Sequence, residues 1–176
     1  MKYCATCAAR VALQVPPGED RQRYVCTGCG EVHYQNPRVV VGSVPVWEDR
    51  LLLCRRAIEP QRGLWTLPAG FLELDETSEE GARREAWEEA RAQLELTALL
   101  AVYDLTHVGQ VQLFYAARLL SPDVSPGEES LEVDLFRYED VPRDEIAFPS
   151  VHWALDYHQR VARGRAEFPP DRRRRG

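Results

Sequence analysis

Three glutamates, Glu85, Glu88 and Glu89, stand at positions i, i+3 and i+4, a spacing that crowds their carboxylates onto one face of a helix. Left alone they are unfavourable. Like charges at helical spacing repel by roughly 0.2–0.5 kcal/mol per pair, and acids late in a helix oppose its dipole. A hard divalent cation reverses that sign, because it is the largest local charge and takes oxygen ligands. The competing reading is a solvated acidic face, and the residues upstream bear on the choice. Trp65-Thr66-Leu67-Pro68-Ala69-Gly70 is a short apolar stretch closed by glycine, suited to a tight loop whose backbone carbonyl can join a metal shell. Glu76 and Arg84 supply a carboxylate and a guanidinium able to hold loop and helix in register. Taken together, loop, carboxylates and guanidinium favour a catalytic metal site over an acidic surface.

A second set of metal-ligand types lies near the N-terminus. Cys4-x2-Cys7 and Cys26-x2-Cys29 are two matched knuckles separated by 18 residues, the pattern of a tetrahedral Cys4 zinc ribbon. Gly28 and Gly30 flank Cys29, as a tight turn bringing backbone amides toward thiolates requires. Two disulfides or a redox pair are the alternatives. A cytosolic chain disfavours the first, and the matched knuckles disfavour the second. Four thiolates close the coordination sphere, so the zinc is expected to be structural, and in so short a segment it would supply the folding energy. His33 is read as a non-ligand. The fifth cysteine, Cys54, lies inside Leu51-Leu52-Leu53-Cys54 and is read as a small buried hydrophobe.

The elements that must position these groups follow from pattern. Residues 77–92 are expected to form a helix, with Thr77 or Ser78 as cap and Thr77/Glu80 at capping-box spacing. Its Ala82, Ala86 and Ala90 make a small apolar stripe fit for packing on a sheet. Residues 38–47 (RVVVGSVPVW) and 51–56 (LLLCRR) read as strands joined by a short turn at 48–50, with Pro45 marking part of the first as an edge. Arg55 and Arg56 are adjacent in a strand and face opposite sides, so at most one meets a pocket. Residues 94–106 and 111–120 read as two further strands linked by a His107–Gln110 turn, with Tyr103, Phe114 and Tyr115 assigned mainly to packing. Residues 131–138 form a strand entered from the Pro- and Ser-rich loop 121–130. Residues 149–163 begin with Pro149 and form a C-terminal helix on which His152 and His158 are placed at the surface.

Charge narrows the function further. Acidic residues outnumber basic ones, 28 to 22, for a net charge of −6 over 176 residues. Four of the positive charges are Arg172–Arg175, so the rest is more acidic still, which argues against a broad nucleic-acid surface. No apolar run approaches the ~20 residues of a membrane span, and the first residues lack the marks of a secretory signal. A cytoplasmic location is the expectation.

The 23 residues from Gly70 to Ala92, GFLELDETSEEGARREAWEEARA, resemble the box of the Nudix hydrolases, G-x5-E-x7-R-E-U-x-E-E-x-G-U. They match at Gly70, Glu76, Arg84, Glu85, Ala86, Glu88, Glu89 and Ala92, and depart at Arg91, where the family usually has glycine. With the knuckles, the resemblance implies an α/β architecture: a small N-terminal Cys4 zinc ribbon over residues 1–35, then over 36–163 a Nudix α/β/α sandwich around a mixed sheet. Residues 164–176 are expected to be a basic disordered tail. The resemblance further implies Mg2+ (or Mn2+) held by Glu85, Glu88 and Glu89 with the Gly70 carbonyl, and Arg84 and Glu76 as orienting residues. Glu129-Ser130-Leu131-Glu132 is similar to the E-x-x-E found downstream of the box in zinc-ribbon members, which assigns Glu129 as a ligand and Glu132 as general base or ligand. Arg55, Arg56, Trp65, Phe71 and Gln110 are the candidate substrate contacts.

Within the family, HYQNPRVVVGSVPVWEDRLLLCRRAIEP, GLWTLPAGF and EVDLFRYEDVPRDEIAFP resemble zinc-ribbon enzymes acting on FAD and ADP-ribose. Zinc-ribbon NADH pyrophosphatases carry an SQPWPFP-type motif after the box, and residues 95–120 hold nothing similar. The implied reaction is hydrolysis of a dinucleotide diphosphate to a nucleoside monophosphate and the other phosphorylated half. The alternatives are an NADH pyrophosphatase, a house-cleaning nucleoside-triphosphate hydrolase and, in another class, a non-catalytic ligand sensor. A homodimer is expected by analogy with the family.

Overall fold

Two hairpin-like knuckles and three short strands make up the first of two units into which the chain divides after Pro37. The computed structural model describes residues 1–165 and the backbone of 171–175. In the first unit β1 (Val11–Gln14), β2 (Arg23–Cys26) and β3 (Val32–His33) pair antiparallel in that order. Glu19 ties this small sheet at its side, accepting from Arg23 Nε at 2.8 Å and from the Tyr34 hydroxyl at 2.6 Å.

The second unit runs β4 (Arg38–Trp47), β5 (Arg50–Arg56), β6 (Trp65–Thr66), β7 (Ala69–Phe71), α1 (Ser78–Ala90), β8 (Leu94–Leu105), β9 (Gln110–Leu119), β10 (Ser130–Arg137), α2 (Pro149–Ala162) and β11 (Asp171–Arg175). Its sheet is ordered β10-β5-β4-β9-β8-β11, with β6 on β5 and β7 on β4. It is mixed: β4/β9 and β8/β11 are parallel, and the remaining pairs are antiparallel.

Strand parity explains why Leu51–Cys54 carries no polar alternation. Leu51 and Leu53 pack with Val151, Ala154 and Leu155 of α2. Leu52 and Cys54 pack with Ala86 and Ala90 of α1. Successive side chains of a strand point to opposite faces, so α1 and α2 cover opposite faces of one sheet, and the strand between them is apolar on both. The expected α/β/α layering is therefore present.

The helix starts where its cap chemistry places it. Thr77 Oγ1 accepts from the Glu80 amide while the Glu80 side chain accepts from the Thr77 amide, the reciprocal capping box. The helix ends two residues earlier than the pattern implies. Arg91 adopts the left-handed conformation (φ 53°), which breaks the ladder and lets the Ala92 amide reach the Ala86 carbonyl at 3.2 Å.

Three expectations are corrected. Pro45 is not on an edge: β4 lies inside the sheet, and Pro45 falls between the β7 ladder at residues 40–42 and the β5 ladder beginning at Val46. The tail expected to be disordered over 164–176 lies outside the described residues at 166–170 and 176, but Asp171–Arg175 pair parallel with Ala101–Leu105. That pairing covers the backbone groups β8 would otherwise expose as an edge. His158 is not a surface residue. It is half-buried in α2, where its Nδ1 pairs with the Tyr138 hydroxyl and its ring stacks on the tyrosine. Among the described residues no helix is long and apolar enough to cross a membrane.

Burial lowers the His158 pKa to about 4 from 6.5. Between those values the unfolded chain binds the proton and the folded chain does not, so stability is lost as pH falls through the window. Urea denaturation should show this group costing about 2 kcal/mol at pH 5 relative to pH 7, and a His158→Gln variant should lose less stability over the same step than the parent.

Candidate active site and metal centres

Arg84 gathers the acidic groups of the site. Its Nε and one terminal nitrogen bind both oxygens of Glu76, at 3.0 and 2.8 Å, and that nitrogen also donates to the Phe71 carbonyl at 3.0 Å. The other terminal nitrogen donates to Glu85 at 2.7 Å and to Glu88 at 2.8 Å. One planar fork thus joins the loop before α1 to two carboxylates on it, using the geometry that suits guanidinium to carboxylate. The Arg84 guanidinium holds the Glu76 carboxyl down at about 2, and Glu76 also accepts from the Glu73 amide.

The third carboxylate of the 85/88/89 set lacks that relief. Glu89 is 6% exposed, and its Oε2 is buried without a hydrogen-bond partner. Burial, reinforced by the charge of Glu85, pushes its pKa up to about 8 despite the opposing field of Arg56. Burial likewise raises Glu85, against the pull of Arg84. A buried carboxylate with an unsatisfied oxygen costs stability. An oxygen-only donor set with such an atom at its centre fits Mg2+ or Mn2+ rather than a soft metal.

Two glycines allow the acids to converge. A Cβ on Gly70 would lie 2.4 Å from the Glu85 carboxylate, so the glycine is required for close approach of that carboxylate. The expected reason was a tight turn; instead Gly70 sits in β7, paired with Val41 of β4. A Cβ on Gly127 would lie 1.7 Å from the Glu88 carbonyl oxygen. The loop carrying Gly127 docks on the end of α1 through Gly127 N–H to Glu89 O at 3.0 Å and Ser125 N–H to Ala90 O at 3.0 Å. These bonds satisfy carbonyls left over at a helix C-terminus and bring Glu128 and Glu129 to the site. Sequence reasoning missed Gly127; the Ser-Pro-Gly turn within the acidic loop was the available signal.

These groups open on a cavity of about 800 Å3, lined among others by Arg56, Thr66, Gly70, Phe71, Arg84, Glu85, Glu88, Glu89, Arg91, Gln110, Glu128, Glu129 and Phe148. The predicted Gly70, Arg84, Glu85, Glu88, Glu89, Glu129, Arg56, Phe71 and Gln110 therefore meet in one place. His107, in the turn after β8, lines it too.

Arg55, Trp65 and Glu132 do not line the cavity, and register gives the reason. Trp65 and Glu132 both pair across from Arg55, so all three lie on the α2 face while Arg56 and Thr66 lie on the α1 face. Arg55 stacks over Trp65, which packs edge-on against Phe136, and Arg55 reaches Glu132 at 3.4 Å. Arg55, Trp65 and Glu132, expected to bind substrate or act as base, thus stand apart from the residues that line the cavity.

In the first unit the Sγ atoms of Cys4, Cys7, Cys26 and Cys29 all lie within 4.8 Å of one another, the one such ligand group among the described residues. The cysteines are free rather than bridged. Sulfur separations of 3.4 and 3.8 Å fit the ~3.8 Å edge of a tetrahedron built on ~2.3 Å zinc–sulfur bonds. Amides of Thr6, Gly28 and Cys29 point at Cys4 or Cys26 sulfur at 3.3 Å, and His33 Nε2 lies 3.3 Å from Cys4 Sγ, an outer-shell position.

Comparison with known proteins accords with this geometry. Residues 36–156 match the NUDIX domain family, and residues 2–35 match the Nudix N-terminal zinc-ribbon family. A crystal structure of a NUDIX hydrolase from Nitrosomonas europaea is 46% identical, with a TM-score of 0.93, covering 99% of this chain and 100% of that one. A MutT-like protein of Streptomyces ambofaciens is 47% identical over 46% of this chain and 51% of its own length, so the match spans about half of that relative. An ADP-ribose pyrophosphatase of Methanocaldococcus jannaschii is 29% identical over 70% of this chain and 75% of its own. This chain belongs to the NUDIX domain family and carries an N-terminal four-cysteine zinc-ribbon module ahead of that domain.

Proposed function

We propose that the chain hydrolyses the diphosphate bond of a nucleoside diphosphate linked to a second moiety, with ADP-ribose and FAD as its substrates. The observation that carries this reading is the buried, unpartnered Glu89 carboxylate opening, beside Glu85 and Glu88, on a cavity of about 800 Å3. That volume lies in the upper part of the range for small-molecule sites, which suits a two-part substrate. Aromatic and apolar groups such as Phe148, Trp153 and Ile58 line it together with the acids, offering surfaces for a base or flavin ring. The similarity to an ADP-ribose pyrophosphatase supports the same substrate class.

Glu85, Glu88, Glu89, Glu129 and the Gly70 carbonyl would hold Mg2+ or Mn2+, which when bound neutralises the carboxylates, polarises phosphate oxygens and lowers the pKa of the attacking water. Arg84 holds Glu85 and Glu88 in place through the contacts given above. Arg56, on the site face of β5, has its Nε on the Pro60 carbonyl and its guanidinium over the Phe148 ring, leaving terminal nitrogens for a phosphate. Glu128 and Glu129 are exposed acids of the cavity not engaged by Arg84, and one of them accepts the proton of the water as its oxygen bonds to phosphorus. The bridging P–O bond then breaks, and the two halves leave as a nucleoside monophosphate and a second phosphomonoester.

Purified protein with Mg2+ should hydrolyse ADP-ribose and FAD with higher kcat/KM than NADH or a nucleoside triphosphate, with AMP among the products of the first two. Silence on all four would leave a ligand sensor standing in place of an enzyme. Glu89→Gln should lower kcat by about a hundredfold or more, the upper end for disturbed metal shells. Its metal-free Tm at pH 9, above the raised Glu89 pKa, should stay level or rise, because there a buried charge has been removed; a normal kcat would place the centre elsewhere. Glu132→Gln should keep kcat within about twofold, as expected for an exposed ion pair, whereas Glu129→Gln should lose about tenfold or more. The reverse ranking would restore Glu132 as the base.

A further inference from the structure

Three arginines line the cavity, and they are committed to very different degrees. Arg84 is spent on Glu76, Glu85, Glu88 and the Phe71 carbonyl. Arg56 is anchored through Nε and faces the buried Glu89, whose carboxyl it influences. Arg91 is half-buried, yet its guanidinium has only a 3.4 Å contact with the Trp87 carbonyl of its own helix and a place 5.7 Å from the centre of the exposed Trp87 ring. Glu88, Glu128 and Glu129 line the same cavity, but among the described residues none forms an ion pair with it.

Its backbone is the second observation. Among the described residues Arg91 is one of five non-glycine residues with positive φ, with Ala8, Glu48, Gln61 and Asp75, and the only one of them that lines the cavity. The left-handed region disfavours any side chain with a Cβ, and glycine is the residue that ends helices there without cost. The conformation ends α1 at Ala90, where the 125–129 loop docks on the helix, with Arg91 among the residues lining the cavity. A strained backbone at a cavity-lining arginine whose guanidinium forms no ion pair among the described residues points to function. A guanidinium in that setting matches a phosphate, which its planar fork binds through two hydrogen bonds.

We propose that Arg91 is a substrate-binding residue that engages a phosphate oxygen of the diphosphate substrate from the C-terminal end of α1. This rests on the pyrophosphohydrolase reading above. The site then holds its anionic ligand from two sides, Arg56 on the sheet and Arg91 at the helix end. The competing role is purely local. With no other basic residue in the last turn of α1, Arg91 could serve only as a cation at the negative end of the helix.

The two roles separate in Arg91→Gly and Arg91→Lys, assayed with ADP-ribose and Mg2+ and titrated with AMP by calorimetry. Binding by Arg91 predicts that Arg91→Gly raises KM for ADP-ribose and Kd for AMP by about tenfold, the loss carried by KM rather than kcat. Arg91→Lys keeps the charge without the fork and should fall between the two. The Tm of Arg91→Gly should stay level or rise by roughly 2–4 °C as the left-handed strain is relieved. Unchanged KM and Kd beside a raised Tm would make Arg91 a helix terminator and overturn the inference. A fall in kcat at constant KM would also overturn it, by placing the effect on the carboxylates. Wild-type protein inactive on all substrates would remove the parent reading and this one together, whereas active wild type with Arg91→Gly at wild-type KM removes this one alone.

Discussion

The fold of the site depends on the Arg84 guanidinium. Three acids at i, i+3 and i+4 on one helix, with a fourth before it, are a poor arrangement for an isolated segment. Arg84 takes two of the helix acids and the upstream Glu76 into one set of charge-assisted bonds at 2.7–3.0 Å. The bidentate clasp on Glu76 also fixes the loop from Glu73 to Thr77, because Glu76 Oε1 accepts the Glu73 amide at 2.8 Å and the capping box follows directly. What Arg84 leaves unrelieved is Glu89, and that residue carries the strongest electrostatic strain among the helix acids. The protein thus stabilises the outer carboxylates with its own cation and leaves the innermost one buried with an unpartnered oxygen.

Strand parity then decides which side chains reach this centre. One residue step along β5 separates Arg56, whose field is felt by Glu89, from Arg55, which stacks on Trp65 over the opposite layer. The same step separates Thr66 from Trp65. In β10 the register carries a bulge between Ser130 and Glu132, so that Glu132 sits opposite Arg55 while Glu129, just before the strand, remains with the cavity. The bulge turns Glu132 to the face opposite Ser130, while Glu129 belongs to the loop that Gly127 and Ser125 dock on α1 and reaches the cavity by that route.

Much of this was legible beforehand, for identifiable reasons. The helix start, the capping box, the alanine stripe and the thiolate knuckles follow from local spacing, and each is where the residue types require it. The layered architecture was legible through the resemblance and through the unbroken apolar run of β5. Register was not. The bulge before Glu132, the pairing of Trp65 with Arg55 and the interior position of β4 depend on which strands meet, and no local pattern encodes that. His158 escaped for a related reason: its partner, Tyr138, comes from the end of another strand. Gly70 was singled out correctly but for the wrong cause, since close approach of Glu85, rather than a turn, excludes a side chain there.

Gly127 and Arg91 show how the end of α1 is built as a joint. A helix C-terminus leaves carbonyls without partners, and in this chain the Glu89 and Ala90 carbonyls are met by amides of the 121–130 loop rather than by continued helix. Docking that loop requires a backbone with no Cβ at 127, because the Glu88 carbonyl occupies the space. It also requires the helix to stop, which Arg91 achieves in a conformation glycine would adopt more cheaply. Two positions of opposite conformational freedom thus meet at one joint. Glycine stands where the chain must touch the helix, and arginine stands where the chain must leave it. Had termination been the only demand at position 91, glycine would meet it with less strain; the larger residue is explained by what its side chain can reach.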